Sequence, residues 1–179
     1  MEEIIKRIRK FFPLKEVKNQ RKNLYFLTVT KRNLVSLLTH LRNLEKFTHL
    51  ILLTAVDYPE KDKFQLTYLL HNYELNIDLG IRVLLKRNQP VMDSIHHLWE
   101  QAKVYQRELR EMYGIYFPGS PELERSFVLE GWQEIPPMRR DFDTLKYSEE
   151  TYFPRSGRES VDPRKYMKEK LYPYYQKED

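Results

Sequence analysis

Apolar residues recur along this chain at two different periods, one suited to helices and one to strands. Over Glu2–Phe12, Ile4, Ile5, Ile8, Phe11 and Phe12 alternate with Lys6, Arg7, Arg9 and Lys10, which predicts a short amphipathic helix ended by Pro13 and docked on the domain. Asn23–Thr30 is rich in aromatic and β-branched side chains and predicts a strand. Thr30 is placed to cap a helix over Lys31–Lys46, whose Leu34, Leu37, Leu38, Leu41 and Leu44 form one stripe, the pattern of a core-facing helix. Strand patterns follow at Thr48–Tyr58, Lys63–Tyr73 and Asn76–Leu85. The connections between them are so short that the three must pair antiparallel. Asn88–Pro90 breaks the last strand, and Val91–Glu100 predicts a helical turn or two. In a helix over Gln101–Tyr113, Ala102, Tyr105, Leu109, Met112 and Tyr113 share the packed face, and Gly114 supplies a left-handed stop. The expected fold class is therefore α+β: a small mixed or antiparallel sheet with helices packed on one face, over residues 1–117, followed by an extended irregular C-terminal segment.

Beyond that helix the pattern loses its period but not its apolar content. Pro118, Gly119, Pro121, Gly131, Pro136 and Pro137 exclude long helix or central strand, yet Phe117, Leu123, Phe127, Val128, Leu129, Trp132, Ile135 and Met138 lie among them. Such side chains need cover, so residues 118–142 are expected to be an ordered, proline-rich, partner-binding loop. Residues 143–179 hold Tyr147, Tyr152, Tyr166, Tyr172, Tyr174 and Tyr175, six of the 13 tyrosines, and few aliphatics. A segment of that composition builds no core of its own and is expected to lie along a partner as a tail.

Composition narrows the chemistry. The chain has 179 residues, enough for one domain with an appendage, and no cysteine, so it offers neither a disulfide framework nor thiolate ligands. No apolar run approaches the roughly 20 residues that span a bilayer, and the charged start does not resemble a secretory signal. The net charge of +5 is concentrated in residues 1–46, with 12 basic against 4 acidic side chains. That segment suits an anionic surface, RNA or an acidic partner, the plainer reading being a solvated face.

The five glycines lie too far apart for a dinucleotide fingerprint or a phosphate loop, and Ser120 has no local base. His96, His97 and Glu100 are the one candidate metal set, since His96 and Glu100 would share a face if the stretch were helical; no third ligand follows from spacing. The expectation is thus no catalytic, cofactor or metal site. Alternating charges on the helix suit intrahelical pairs, or a clamp in which Arg107 and Glu108 hold Arg139, Arg140 or Asp141.

The run QRELREMYGIYFPGSPEL (Gln106–Leu123), then Trp132 and PMRRDF (Pro137–Phe142), together with AVDYPE (Ala55–Glu60) and PVMDSIHHLWEQA (Pro90–Ala102), resembles the thirty-kilodalton, or C, subunit of respiratory complex I and its counterparts in membrane-bound hydrogenase-related and sulfane sulfur reductase complexes. That family has a Glu-Arg-Glu helix, a Gly-His-Pro-Asp-Leu turn and a Pro-Leu-Arg-Lys-Asp segment. Here Gln106, Ser120 and Glu122 depart from it, while Arg107, Glu108, Gly119, Pro121, Leu123, Trp132, Pro137, Arg139, Arg140 and Asp141 match. The resemblance implies a non-catalytic structural subunit in the peripheral arm of a membrane-bound, ion-pumping oxidoreductase, without a redox centre of its own. It implies contact with the large hydrogenase-like subunit and the iron-sulfur subunit, only indirect membrane contact, and a place on the cytoplasmic side. The departures point to a ferredoxin-linked hydrogenase or sulfur-reducing type, with quinone-reducing complex I proper as the alternative. A basic RNA-associated protein and a stand-alone enzyme using His96, His97 and Glu100 are the readings from other classes.

Overall fold

The structure, a computed structural model, describes residues 1–152. The elements are α1 (Glu2–Phe11), β1 (Glu16–Arg21), β2 (Leu24–Val29), α2 (Lys31–Asn43), β3 (His49–Tyr58), β4 (Lys63–Asn72), β5 (Ile77–Lys86), α3 (Ala102–Tyr113) and α4 (Thr144–Tyr152). The five strands make one mixed sheet in the order β1-β2-β5-β4-β3. β3, β4 and β5 form the antiparallel meander that the short turns require, and β2 pairs with β5 in parallel.

Alternation along the strands turns one face of the sheet inward. Leu27, Leu50, Phe64, Leu66, Tyr68, Leu70, Leu79, Ile81 and Val83 are buried there, with Ile4 and Ile8 of α1 and Leu34, Leu37, Leu38 and Leu41 of α2 in the same core. Each such side chain stabilises the fold by roughly 1.5–3 kcal/mol. α2 lies against β5 and α3 against β3. On the opposite face Gly80 has no room for a side chain, because the Phe26 ring occupies the space and is itself covered by the Arg82 guanidinium, 3.8 Å from the ring centre.

Several details differ from the sequence-based expectation. β1, sequence EVKNQR, carries no apolar alternation because it is an edge strand, exposed except at Val17, and charged side chains are what protect such an edge from stray pairing. The other edge, β3, is covered by side chains: Trp99 donates to the Thr48 carbonyl (2.7 Å), Gln101 to Leu50 (3.0 Å) and Tyr105 to Ile51 (3.0 Å), around a bulge between Leu50 and Leu52. Thr30 sits at the N-cap of α2 without a capping side-chain bond, and Leu44 lies just past the helix, exposed rather than in the stripe. Val91–Glu100 is not helical; Val91 forms a bridge to Tyr116, and turns follow.

The chain divides into two units after Phe142, so residues 1–142 are described together and Asp143 onward separately. In the second unit the described part is α4, a helix that the sequence pattern does not announce, and it buries none of its side chains. The tail tyrosines beyond Tyr152 lie outside the described residues.

Candidate functional site

α3 ends where its sequence says it should: Gly114 has φ 75° and its N–H bonds back to the Arg110 carbonyl. Beyond it Ile115 and Phe117 are buried, and the Tyr116 backbone exchanges bonds with Pro90 (2.8 Å) and Met92 (2.9 Å), which anchors the start of the loop. Gly119, φ 81°, then turns the chain outward. Leu123 is the one further loop side chain to reach the core.

From there the loop is held by polar bonds. Arg107, Arg110 and Glu111, at i, i+3 and i+4, share the face of α3 that meets it. The Glu111 carboxylate accepts three backbone N–H groups, from Phe127 (2.6 Å), Val128 (2.8 Å) and Leu129 (2.9 Å). Burial pushes this carboxyl up, but the three N–H donors and the Arg107 charge outweigh it and hold it below the usual range. Arg110 pairs with Glu124 (3.3 Å), and Arg107 lies 3.6 Å from Glu122 with its guanidinium 5.6 Å from the Phe127 ring centre. These arginines and Glu111 line a cleft between helix and loop that also takes in Trp132. The Trp132 indole donates to the Ile135 carbonyl (3.1 Å) and its ring lies 5.5 Å from that of Phe142.

The returning limb is tied to the sheet. Met138 N–H bonds the Met112 carbonyl at the end of α3 (3.0 Å), and Pro136 packs over Gly114. Asp57, at the end of β3 and almost fully buried, takes the Arg87 guanidinium (2.8 and 3.0 Å) and the Arg140 N–H (2.9 Å). Arg87 also reaches Asp141 (2.8 Å), which pairs with Arg139 (3.2 Å), while the Arg140 side chain reaches Glu60 (3.1 Å). Burial raises the Asp57 and Asp141 carboxyls, and the arginines and N–H donors more than reverse it, so both stay below the usual range.

The expected clamp of Arg107 and Glu108 on residues 139–141 is therefore corrected. Arg107 faces Glu122, the Glu108 side chain has no ion pair or hydrogen bond among the described residues, and the 139–141 segment is held by Arg87 and Asp57 instead. Glu111, Asp57 and Arg87 carry the clamp, and the sequence pattern does not single them out for it. Glu111 was within reach, since it lies four residues beyond Arg107 on one face; the pairing of Asp57 with Arg140, 83 residues away, was not. Gln106, where the resemblance leads one to expect an acid, is fully buried; its Oε1 accepts the Ser94 hydroxyl (2.7 Å), while its Nε2 has no hydrogen-bond partner among the described residues.

The outcome is a fixed frame with its apolar side chains outside. Phe127, Val128 (66% exposed), Ile135 and Met138 all face solvent. No three His, Asp or Glu side chains converge to hold a metal among the described residues; Glu100 pairs with Lys103, and His96 lies beside the Ser94 hydroxyl. No helix among the described residues is long and apolar enough to cross a membrane.

The structure is thus an α+β domain that presents an apolar loop on ion-paired struts. The chain belongs to the family described as "Respiratory-chain NADH dehydrogenase, 30 Kd subunit", whose profile it matches over residues 27–148. It is thus a C-type subunit of the complex I-like oxidoreductases of respiratory electron transport, part of a hetero-oligomer. The C-type subunit of the NADH-quinone oxidoreductase of Moorella thermoacetica is 32% identical over 142 residues, 79% of this chain and 95% of that one. The second C/D-type subunit of the NADH-quinone oxidoreductase of Aquifex aeolicus is 35% identical over 107 residues, 59% of this chain and 18% of that one. Among solved structures, a chain of the membrane-bound sulfane sulfur reductase, an archaeal respiratory membrane complex, superposes with a TM-score of 0.78 at 25% identity, covering 90% of this chain and 96% of that one.

Proposed function

We propose that this chain braces the large hydrogenase-like subunit of a membrane-bound, ion-pumping oxidoreductase, beside its iron-sulfur subunit, as a peripheral subunit on the cytoplasmic side. The observation that carries the reading is the Glu111 clamp, which presents Phe127, Val128, Ile135 and Met138 outward on an ordered backbone. Fixing a loop before it meets its partner removes ordering entropy from the binding step, so such a clamp favours a surface made for docking. Within it Arg107, Glu108, Gly119, Pro121, Leu123, Trp132, Pro137, Arg139, Arg140 and Asp141 are the residues that shape or meet the interface, with residues 143–179 continuing along the same partner. The Aquifex relative supports a large partner, because its matching stretch is a minor part of a much longer chain named as C/D-type.

For the kind of complex, the fit to the sulfane sulfur reductase chain favours a ferredoxin-linked hydrogenase or sulfur-reducing type. A quinone-reducing complex I is the second reading, favoured by the near-complete coverage of the Moorella protein. Affinity purification through this chain tests both: the large and iron-sulfur subunits should co-purify, and the identity of the remaining subunits separates the two types. Replacing Phe127, Val128, Ile135 and Met138 by serine should release the large subunit while the chain stays folded; retention of that subunit would refute the docking role of the loop.

A further inference from the structure

The helices α1, α2 and α3 all contribute to the single core on one side of the sheet, through Ile4, Ile8, Leu34, Leu38, Ala102 and Leu109. The other face carries none of them. Strand register sets its outward side chains in rows: the middle row runs Thr28, Arg82, Thr67, Thr54 from β2 to β3. Phe26, Gly80, Leu69 and Leu52 lie on one side of that row, and Leu84, Gln65 and Val56 on the other. Thr54 is exposed, as are Val56 (41%) and Leu84 (39%). In a chain that is 32% charged, the one ionisable side chain in these rows is Arg82. β5 is the middle strand of the five and Arg82 lies midway along it, so this residue marks the centre of the face.

Arg82 is held over the Phe26 ring at 3.8 Å, its Nε is enclosed without a hydrogen-bond partner, and no ion pair reaches it among the described residues. The acids of this face stand at its margins. Asp78 bonds His71 (2.8 Å) and Glu16 accepts the Thr28 hydroxyl (3.3 Å), against Lys18, Lys63 and Lys86; Asp62 and Glu74 lie beyond, in the turns. We infer that this face is a second docking surface, occupied by another polypeptide of the assembly that presents a carboxylate among small apolar side chains. An arginine already fixed by stacking loses little freedom on taking a carboxylate with two parallel hydrogen bonds, and arginine is among the residues that dominate interfaces. A second copy of this chain fits poorly, because a two-fold axis near the centre brings two Arg82 guanidinium groups together with no acid in the central rows to separate them. An anionic lipid surface gains only about 1 kcal/mol per cation and is met by several, whereas the central rows offer one. Strand spacing and length give the face on the order of 600 Å², most of one partner's share of a standard interface. The inference rests on membership of an assembly, not on the identity of the partner at the loop.

The chain has no cysteine of its own, so T54C places a single thiol on this face. Its reaction with a maleimide, read on this chain by mass, should be roughly tenfold or more slower in the intact, purified complex than in the free chain. A benzophenone carried on K63C, at the rim, should form its photo-adduct with one other polypeptide of the complex. R82E should cut recovery of that polypeptide roughly tenfold, and R82K, which keeps the charge, should restore part of it. The T54C measurement leaves Arg82 in place, so it decides the matter even if R82E fails to fold. Equal thiol reactivity in the complex and the free chain would mean that nothing covers the face, and the proposal would be wrong. Adducts found only on lipid, on a second copy or on residues 153–179 of the same chain would equally overturn it, as would unchanged recovery with R82E. Release of the large subunit by the serine-substituted loop is scored separately, so failure of that reading leaves the protection of Thr54 as its own result.

Discussion

The sheet domain and the loop that follows it solve the same problem in opposite ways. Over residues 1–117 apolar side chains point inward and packing holds the backbone; Leu34, Leu38, Leu66 and Tyr68 are wholly buried. Over 118–142 the backbone is held by carboxylates and guanidinium groups, and Phe127, Val128, Ile135 and Met138 are left outside. The first arrangement specifies a fold from within one chain. The second leaves apolar surface uncovered by its own chain, and the proposed docking role of the loop rests on that difference.

The contrast breaks most visibly in the core. Leu38→Ala or Leu66→Ala should destabilise the whole domain by about 2–5 kcal/mol, read by denaturant unfolding, because a cavity forms where nothing relaxes to fill it. Asp57→Ala comes next, at about 2–3 kcal/mol, since it strips a nearly buried Arg87 of a charged partner and frees Arg140; thermal melting and trypsin cleavage at Arg139 and Arg140 should both respond.

Glu111→Gln separates the two regions. Cleavage by trypsin after Arg125 should rise roughly tenfold or more while the global transition moves little, because only the loop depends on that carboxylate. Acid should imitate this substitution. Glu111, Asp57 and Asp141 all have folded pKa values below their unfolded ones, so their contribution is full above about pH 4–5 and is lost as pH falls through the folded values. Loop cleavage, followed with an acid-tolerant protease, should therefore be flat from neutral pH down to that range and climb below it. The smallest effect belongs to Glu108→Ala, under about 0.5 kcal/mol with unchanged loop cleavage, since the side chain lacks a partner among the described residues.

Much of the first region was legible because its signals are local. The leucine stripe of α2, the alternation of β3 to β5 and the Gly114 stop are properties of short windows, and the structure follows each. β1 was hidden because a charged edge strand lacks the alternation that announces a buried one. In the loop the sequence disclosed that apolar side chains were stranded and that α3 faced them with charge, but not which charge met which. Asp57 and Arg140 are brought together by the whole sheet, and no spacing rule reports a contact between distant segments. Glu108 drew attention through its place in the motif, whereas the helix register gave the contact to Glu111.

The most direct test compares hydrogen exchange of residues 118–142 in the isolated chain and in the purified complex. A loop held ready for a large partner predicts that amides near Phe127, Val128, Ile135 and Met138 slow by roughly tenfold or more on assembly, while those of β4 and β5, already protected, stay as they were. Equal exchange of the loop in both states would mean that nothing covers it, and the account of its function would fall.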